Sequence, residues 1–299
     1  MKPNFSSIIL GTVQLGMPYG IGRWKDALMP EKNAFAILDA AWEMGITTLD
    51  TSPNYGIAEE RIAKYMLQNP NKEFHVISKI KEIDGNNQNV SRCLDAWAKN
   101  NPLLKVAELG SLSVLLHKEN DIYRDSIVEN LERLKKQKYF SCWGISVYSE
   151  NAARHAALVP QCDIVQLPFS ILNQSFNDNG VLKLLEKRQK ITHARSIFTK
   201  GLLFLDALGL TGISEETSHA INLAKELSYK QNQTLMQFAL NFALSFKQIK
   251  SGIIGADDPQ QLAELSDCCG FISNSLDLNL ICKVAKDIPP ADVRPELWS

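Results

Sequence analysis

Short runs of apolar and β-branched residues recur along the chain, and between them lie stretches whose apolar positions return every three or four residues. The runs are SIILGT (7–12), TTLDTS (47–52), FHVISKI (74–80), SLSVLLHK (111–118), FSCWGIS (140–146), DIVQLPFS (163–170), ITHARSIF (191–198) and SGIIGA (251–256). In EKNAFAILDAAWEMG (31–45), Ala34, Ile37, Leu38 and Ala41 share one helical face ahead of a glycine stop at Gly45. In DSIVENLERLKKQK (125–138), Ile127, Leu131 and Leu134 do the same. The repeating unit is strand then helix, with one longer, helix-rich insertion before the last run, and this pattern predicts a parallel sheet with right-handed crossovers. Eight such units in 299 residues predict an α/β fold of the (β/α)8 TIM-barrel type, whereas a doubly wound open sheet has about five or six strands. No Pro/Gly/Ser-rich linker or composition break divides the chain, so residues 1–299 are expected to form a single barrel domain. The tail, about 285–299 and ending IPPADVRPELWS, is expected to be extended and packed on the barrel.

Composition narrows the function by exclusion. The chain is 45% hydrophobic and carries a formal charge of -1, so it can bury a large core and has no bias toward nucleic acid or an anionic membrane surface. No stretch approaches membrane-spanning length, and the apolar run before Gly11 is too short for a secretory signal, so the expected location is the cytoplasm. The six cysteines, at 93, 142, 162, 268, 269 and 282, show no CxxC pair and no Cys/His ligand spacing. They read as reduced small hydrophobes, and no metal is expected.

In a barrel of this kind the loops after the strands build the active face. Asp50 closes the second run, Lys79 the third and His117 the fourth, and Tyr55 follows Asp50 by five residues. Taken singly, each has a structural reading: a loop cap, a snorkelling charge, a core histidine, a rim aromatic. Taken together, on neighbouring strands, they make a proton-transfer set. A tyrosine titrates near pH 10, so it serves as an acid at neutral pH only if its anion is stabilised, which an adjacent Lys79 ammonium would do. An ionised Asp50 would offset the cost of burying that ammonium, and His117 could orient a carbonyl oxygen. No nucleophile dyad, metal trio or carboxylate pair competes with this reading.

The motifs around these residues resemble the aldo-keto reductase family over nearly the whole chain. The family's D-T-x-x-x-Y-G stands here as Asp50 to Gly56, followed by AEERIA; its [IV]-x-[ST]-K as Val76 to Lys79; its L-x-H as Leu115 to His117; and its W-G-[IV]-S as Trp143 to Ser146. The resemblance implies reduction of an aldehyde or ketone to an alcohol, with a nicotinamide cofactor as hydride donor. Tyr55 would be the general acid, tuned by Lys79 and Asp50, with His117 orienting the substrate. By the same resemblance Gly11, Thr12, Asp50, Ser146, Gln166, Arg195, Ser196, Gly201, Leu202, Gly255, Gln261 and Glu264 would bind the cofactor. Two departures stand out. Val147 replaces the asparagine usual after the serine, and Arg195 stands where many members stack a tyrosine on the nicotinamide. Many NADPH-specific members carry a lysine and an arginine where this chain has Gly255 and Gln261, with Asp257 and Asp258 between them. NADPH is expected from the family habit, with NADH nearly level with it from these local charges. The first loop, GMPYGIGRWKDALMPEK (16–32), offers Tyr19, Arg23 and Trp24 at the presumed pocket mouth and suggests, with Arg195, a polar or anionic substrate, such as an aldose or sugar derivative. Two alternatives stay open: a non-catalytic nicotinamide-nucleotide-binding sensor or subunit, and a lyase using Lys79 as a Schiff base. Oligomeric state is not legible.

Overall fold

The computed structural model describes residues 3–20, 22–81, 83, 87–106, 112–205, 213–265 and 275–293. Eight strands, β1 (Ile8–Gly11), β2 (Thr48–Asp50), β3 (His75–Ile80), β4 (Leu112–Leu116), β5 (Cys142–Ser146), β6 (Ile164–Pro168), β7 (Ile191–Arg195) and β8 (Ile249–Ile254), pair in parallel and in chain order. β8 returns to β1 and closes a single-domain (β/α)8 barrel. Register keeps the strand ends level: Gly11 lies beside Asp50, Ser146 beside Gln166, and Pro168 beside Arg195.

The helices follow the periodicity. Glu31–Glu43 buries Ala34, Ile37, Leu38 and Ala41, and Gly45 leaves the helix at φ 73°. Asp125–Lys136 buries Ile127, Leu131 and Leu134. The long insertion between β7 and β8 holds Glu215–Lys230 and Leu235–Leu244. The second of these opens on a capping box between Thr234 and Gln237 and buries Phe238, Leu240 and Phe242, each side chain stabilising the packing by roughly 1.5–3 kcal/mol.

Phe5, just ahead of β1, plugs the N-terminal end of the barrel. Its ring meets His75 and His193 edge-on, both at 4.8 Å, and packs with Ile9, Ile77, Leu115, Cys142 and Ile164. The His75 Nε2 pairs with Ser113 Oγ at 2.8 Å, whereas neither ring nitrogen of His193 has a partner. Burial pushes the two imidazoles down to about 4 and about 3, respectively. With this end filled by apolar groups and neutral histidines, chemistry is left to the opposite mouth.

The tail differs from its expected form. Ala285–Asp287 is a 3-10 turn and Pro290–Val293 one helical turn, so the described part is helical, not extended. Ile288 and Val293 are buried, and Asp292 accepts from Ser214 N at 2.9 Å and Thr217 Oγ1 at 2.7 Å, which ties the tail to the start of Glu215–Lys230. Residues 294–299 lie outside the described residues, as do Cys268 and Cys269. Cys142, Cys162 and Cys282 are in no disulfide among the described residues, and burial pushes Cys142 up to about 11 and Cys162 up to about 12. Among the described residues no helix is long and apolar enough to cross a membrane.

Candidate active site

The C-terminal strand ends surround a cavity of about 490 Å³. Asp50, the last residue of β2, is held there by its backbone: its carbonyl accepts from Thr12 N and Thr12 Oγ1, both at 3.0 Å. Lys79 on β3 donates to Asp50 Oδ1 at 2.7 Å, to the Thr51 carbonyl at 3.0 Å and to the Tyr55 hydroxyl at 3.5 Å. Its ammonium also lies 5.0 Å from the centre of the Tyr55 ring. Both members of the ion pair are buried, Asp50 at 4% exposure and Lys79 at 2%. Burial pulls the Lys79 pKa down, but the Asp50 carboxylate and the Tyr55 phenol outweigh it, and the net direction is upward. The second Asp50 oxygen accepts from Gln166 Nε2 at 2.8 Å, so the carboxylate is satisfied on both sides.

Tyr55 owes its position to two glycines. Gly56 has φ 57°, and a Cβ there would sit 2.2 Å from the Gly16 carbonyl oxygen; a Cβ on Gly16 would sit 1.9 Å from the Tyr55 carbonyl oxygen. The loop before the helix Ala58–Gln68 is thereby pressed against the first βα loop, and Ile57 N donates to Gly16 O at 3.1 Å.

His117 follows β4 by one residue and lines the same cavity, with its Nδ1 buried and unpartnered. Burial, with the Lys79 and Arg195 cations adding to it, lowers its pKa against the opposing pull of Asp50, so the ring is neutral at neutral pH. Ser146, Gln166, Arg195, Ser196 and Gly201 continue the wall, with Gly11 and Thr12 facing them and Gly255 and Gln261 closing it at β8. The Arg195 guanidinium donates to Ser146 Oγ at 3.3 Å, Ser196 Oγ at 3.3 Å and the Val147 carbonyl at 3.0 Å, and stacks 4.1 Å over the Tyr148 ring. Tyr19 also lines the cavity; burial, with Tyr55 and Tyr148 beside it, raises its pKa against Arg195.

Four expected residues do not line the cavity. Leu202 is buried in the core, and Glu264 caps the end of the short helix Pro259–Ala263 on its exposed side. Arg23 and Trp24 instead clasp the β8 loop: Arg23 N donates to Asp257 Oδ2 at 3.1 Å, and Trp24 Nε1 to the Asp257 carbonyl at 2.9 Å. Asp258 caps the Pro259–Ala263 helix through Gln261 N at 3.0 Å.

Sequence reasoning missed Tyr148, Gln14 and Lys200, all of which line the cavity. Tyr148 is aimed by Glu119, whose carboxylate accepts from Tyr148 N at 2.8 Å and Ser149 N at 2.9 Å. Lys200 sits in a turn where Ser196, Thr199, Lys200 and Gly201 all have positive φ, a cost that unconstrained non-glycine backbone avoids. No local signal marks that turn beyond Gly201.

The cavity suits a nicotinamide dinucleotide. Its volume lies in the range of cofactor sites, and His117 Nδ1, Gln14 Oε1 and Asp257 Oδ1 are buried polar atoms on its lining residues without a partner in the protein. The model of the aldo/keto reductase family matches residues 7–284. An uncharacterized oxidoreductase of Bacillus subtilis, YqkF, is 27% identical over 278 residues, covering 85% of this chain and 88% of that protein. The D-threo-aldose 1-dehydrogenase of a Pseudomonas species is 38% identical over 53 residues, only 17% of this chain and 16% of that enzyme. Among solved structures, the glycerol dehydrogenase AKR11B4 of Gluconobacter oxydans superposes with a TM-score of 0.75 at 19% identity, covering 99% of this chain and 94% of that one. Barrel, cavity and family match agree, and the chain belongs to the aldo/keto reductase family.

Proposed function

We propose that the protein is an oxidoreductase that reduces an aldehyde or ketone to an alcohol at the mouth of the barrel, with Tyr55 as the proton donor. The observation that carries this reading is the Asp50–Lys79–Tyr55 chain of contacts facing a cavity shared with a neutral His117. A bound nicotinamide dinucleotide supplies the hydride. Tyr55 gives its phenolic proton to the developing alkoxide, and the Lys79 ammonium stabilises the tyrosinate left behind. Asp50 keeps Lys79 charged and in place, while Gln166 fixes the far side of Asp50. His117, neutral, orients the carbonyl oxygen by hydrogen bond without competing for the proton. A lysine held as an ammonium in this way is a poor Schiff-base nucleophile, which argues against the lyase alternative.

For the substrate we favour a polar carbonyl compound of aldose type. Tyr19, Tyr148 and Arg195 give the mouth hydroxyls and one cation, and the short match to an aldose dehydrogenase runs the same way. The test is turnover of an aldehyde and aldose panel with each nicotinamide dinucleotide, beside Tyr55→Phe. A fall in kcat of roughly 10²–10⁴-fold with nucleotide affinity retained is expected. Unchanged turnover in the Phe variant would remove Tyr55 from the mechanism.

A further inference from the structure

Behind the proton-transfer site, on the outer face of the sheet, lies a second cavity of about 350 Å³ that shares no lining residue with the first. Successive strand residues face opposite sides, so Lys79 points into the barrel while Ser78 beside it points out toward the helices. There Ser78 Oγ donates to Oε1 of Glu59, the second residue of the helix Ala58–Gln68. The cavity reaches from Pro53, in the loop that carries Tyr55, across to Trp97 near the end of the helix Asn87–Asn100.

Glu59 sets the chemistry of this cavity. It is 7% exposed, and a carboxylate so buried is ordinarily paired with a cation. Among the described residues no ion pair reaches it, and Ser78 accounts for Oε1 only, which leaves Oε2 to the cavity. Burial raises its pKa against the pull of Ser78, Asn101 and the more distant Lys79 and Lys81 ammonium groups. Two donors on lining residues are also unmatched, since Trp97 Nε1 and Asn101 Nδ2 are buried without a hydrogen-bond partner. The Asn101 amide is thus near enough to favour the Glu59 charge without closing a hydrogen bond on it. Ile80, Ile83 and Ala96 make much of the remaining wall apolar.

We propose that this cavity is a second small-molecule site, fitted to a primary amine with an apolar body and a neighbouring hydroxyl, the pattern of a small amino alcohol. An ammonium on Glu59 Oε2 gives the buried carboxylate the cation that the fold does not supply. The hydroxyl oxygen accepts from Trp97 Nε1 or Asn101 Nδ2, and the body lies against Ile80, Ile83 and the Trp97 ring. A carboxylate ligand is repelled by Glu59, and a plain hydrocarbon leaves all three polar groups unmatched. The assignment stands apart from the reductase reading, because no residue of this cavity takes part in the proton transfer.

Calorimetric titration of the whole protein with phenylalaninol tests this, beside hydrocinnamyl alcohol, which lacks the amine, and hydrocinnamate, which carries the opposite charge. Phenylalaninol should bind at submillimolar concentration and at least about tenfold more tightly than the alcohol, and hydrocinnamate should not bind. Glu59→Gln should remove that preference. Ala96→Phe, at an exposed helix position on the cavity wall, should block binding and serves should Glu59→Gln not fold. No binding of phenylalaninol at submillimolar concentration, equal binding of the alcohol, or affinity unchanged in either folded variant overturns the proposal.

Discussion

Lys79 shows how a single buried charge can be both an asset and a liability. At 3% and 5% side-chain exposure, the Lys79–Asp50 pair sits where water cannot replace a lost partner. Asp50→Asn leaves the ammonium facing a neutral amide, and we expect a stability loss of about 3–5 kcal/mol by denaturant titration. Replacing both, as Asp50→Leu with Lys79→Met, should recover much of that loss while turnover stays abolished. A double variant as unstable as Asp50→Asn would mean that the pair does not act as a unit. Asp50, Lys79 and His117 were legible as residues at or beside strand ends and Tyr55 as the loop residue that follows Asp50, because a barrel converts order along the chain into adjacency at the mouth. Tyr148 and the Arg195 stack on it were not legible, since that contact joins the ends of β5 and β7 and depends on Glu119 holding the Tyr148 backbone.

Among the elements, the turn carrying Tyr55 is the most exposed to backbone error. Gly56→Ala would force a methyl group toward the Gly16 carbonyl oxygen at a positive φ, and the turn would have to move. The expected outcome is a kcat at least about tenfold lower, because a displaced acid loses its reach, with a stability cost of about 1–3 kcal/mol. Steady-state kinetics with thermal melting checks it; a stable variant with full kcat would show that the loop does not position Tyr55. The strands and the two helices read from periodicity were recovered because apolar spacing is itself the record of which face is buried. The tail, expected to be extended, is helical at Ala285–Asp287 and Pro290–Val293 among its described residues. Proline is tolerated in the first turn of a helix, and Pro290 starts one here.

Over the whole molecule, the plugged end of the barrel sets an acid limit on stability. His75 and His193 titrate near pH 6.5 when unfolded and are depressed to about 4 and about 3 in the fold. The folded state therefore binds fewer protons, and stability falls as the pH drops below about 6.5, continuing down toward the folded values. Each histidine should cost roughly 1.4 kcal/mol per pH unit in that window. Thermal melts from pH 7.5 to pH 4.5 should show the decline, and His193→Phe, if it folds, should flatten it. An unchanged slope in that variant would assign the acid sensitivity elsewhere.

The amino-acid sequence by itself determined the repeating strand and helix units, their number, and which residues stand at the strand ends. Those properties follow from burial, which repeats with the geometry of each element and so is written locally in the spacing of apolar residues. Only the tertiary structure decided that Gln166 secures Asp50, that Arg195 lies on Tyr148, that Arg23 and Trp24 clasp the β8 loop instead of lining the pocket, and that Asp257 is left with an unmatched oxygen. Each of these pairs groups from distant positions, and hydrogen-bond reach of about 3 Å is met or missed by loop conformations that long-range packing sets.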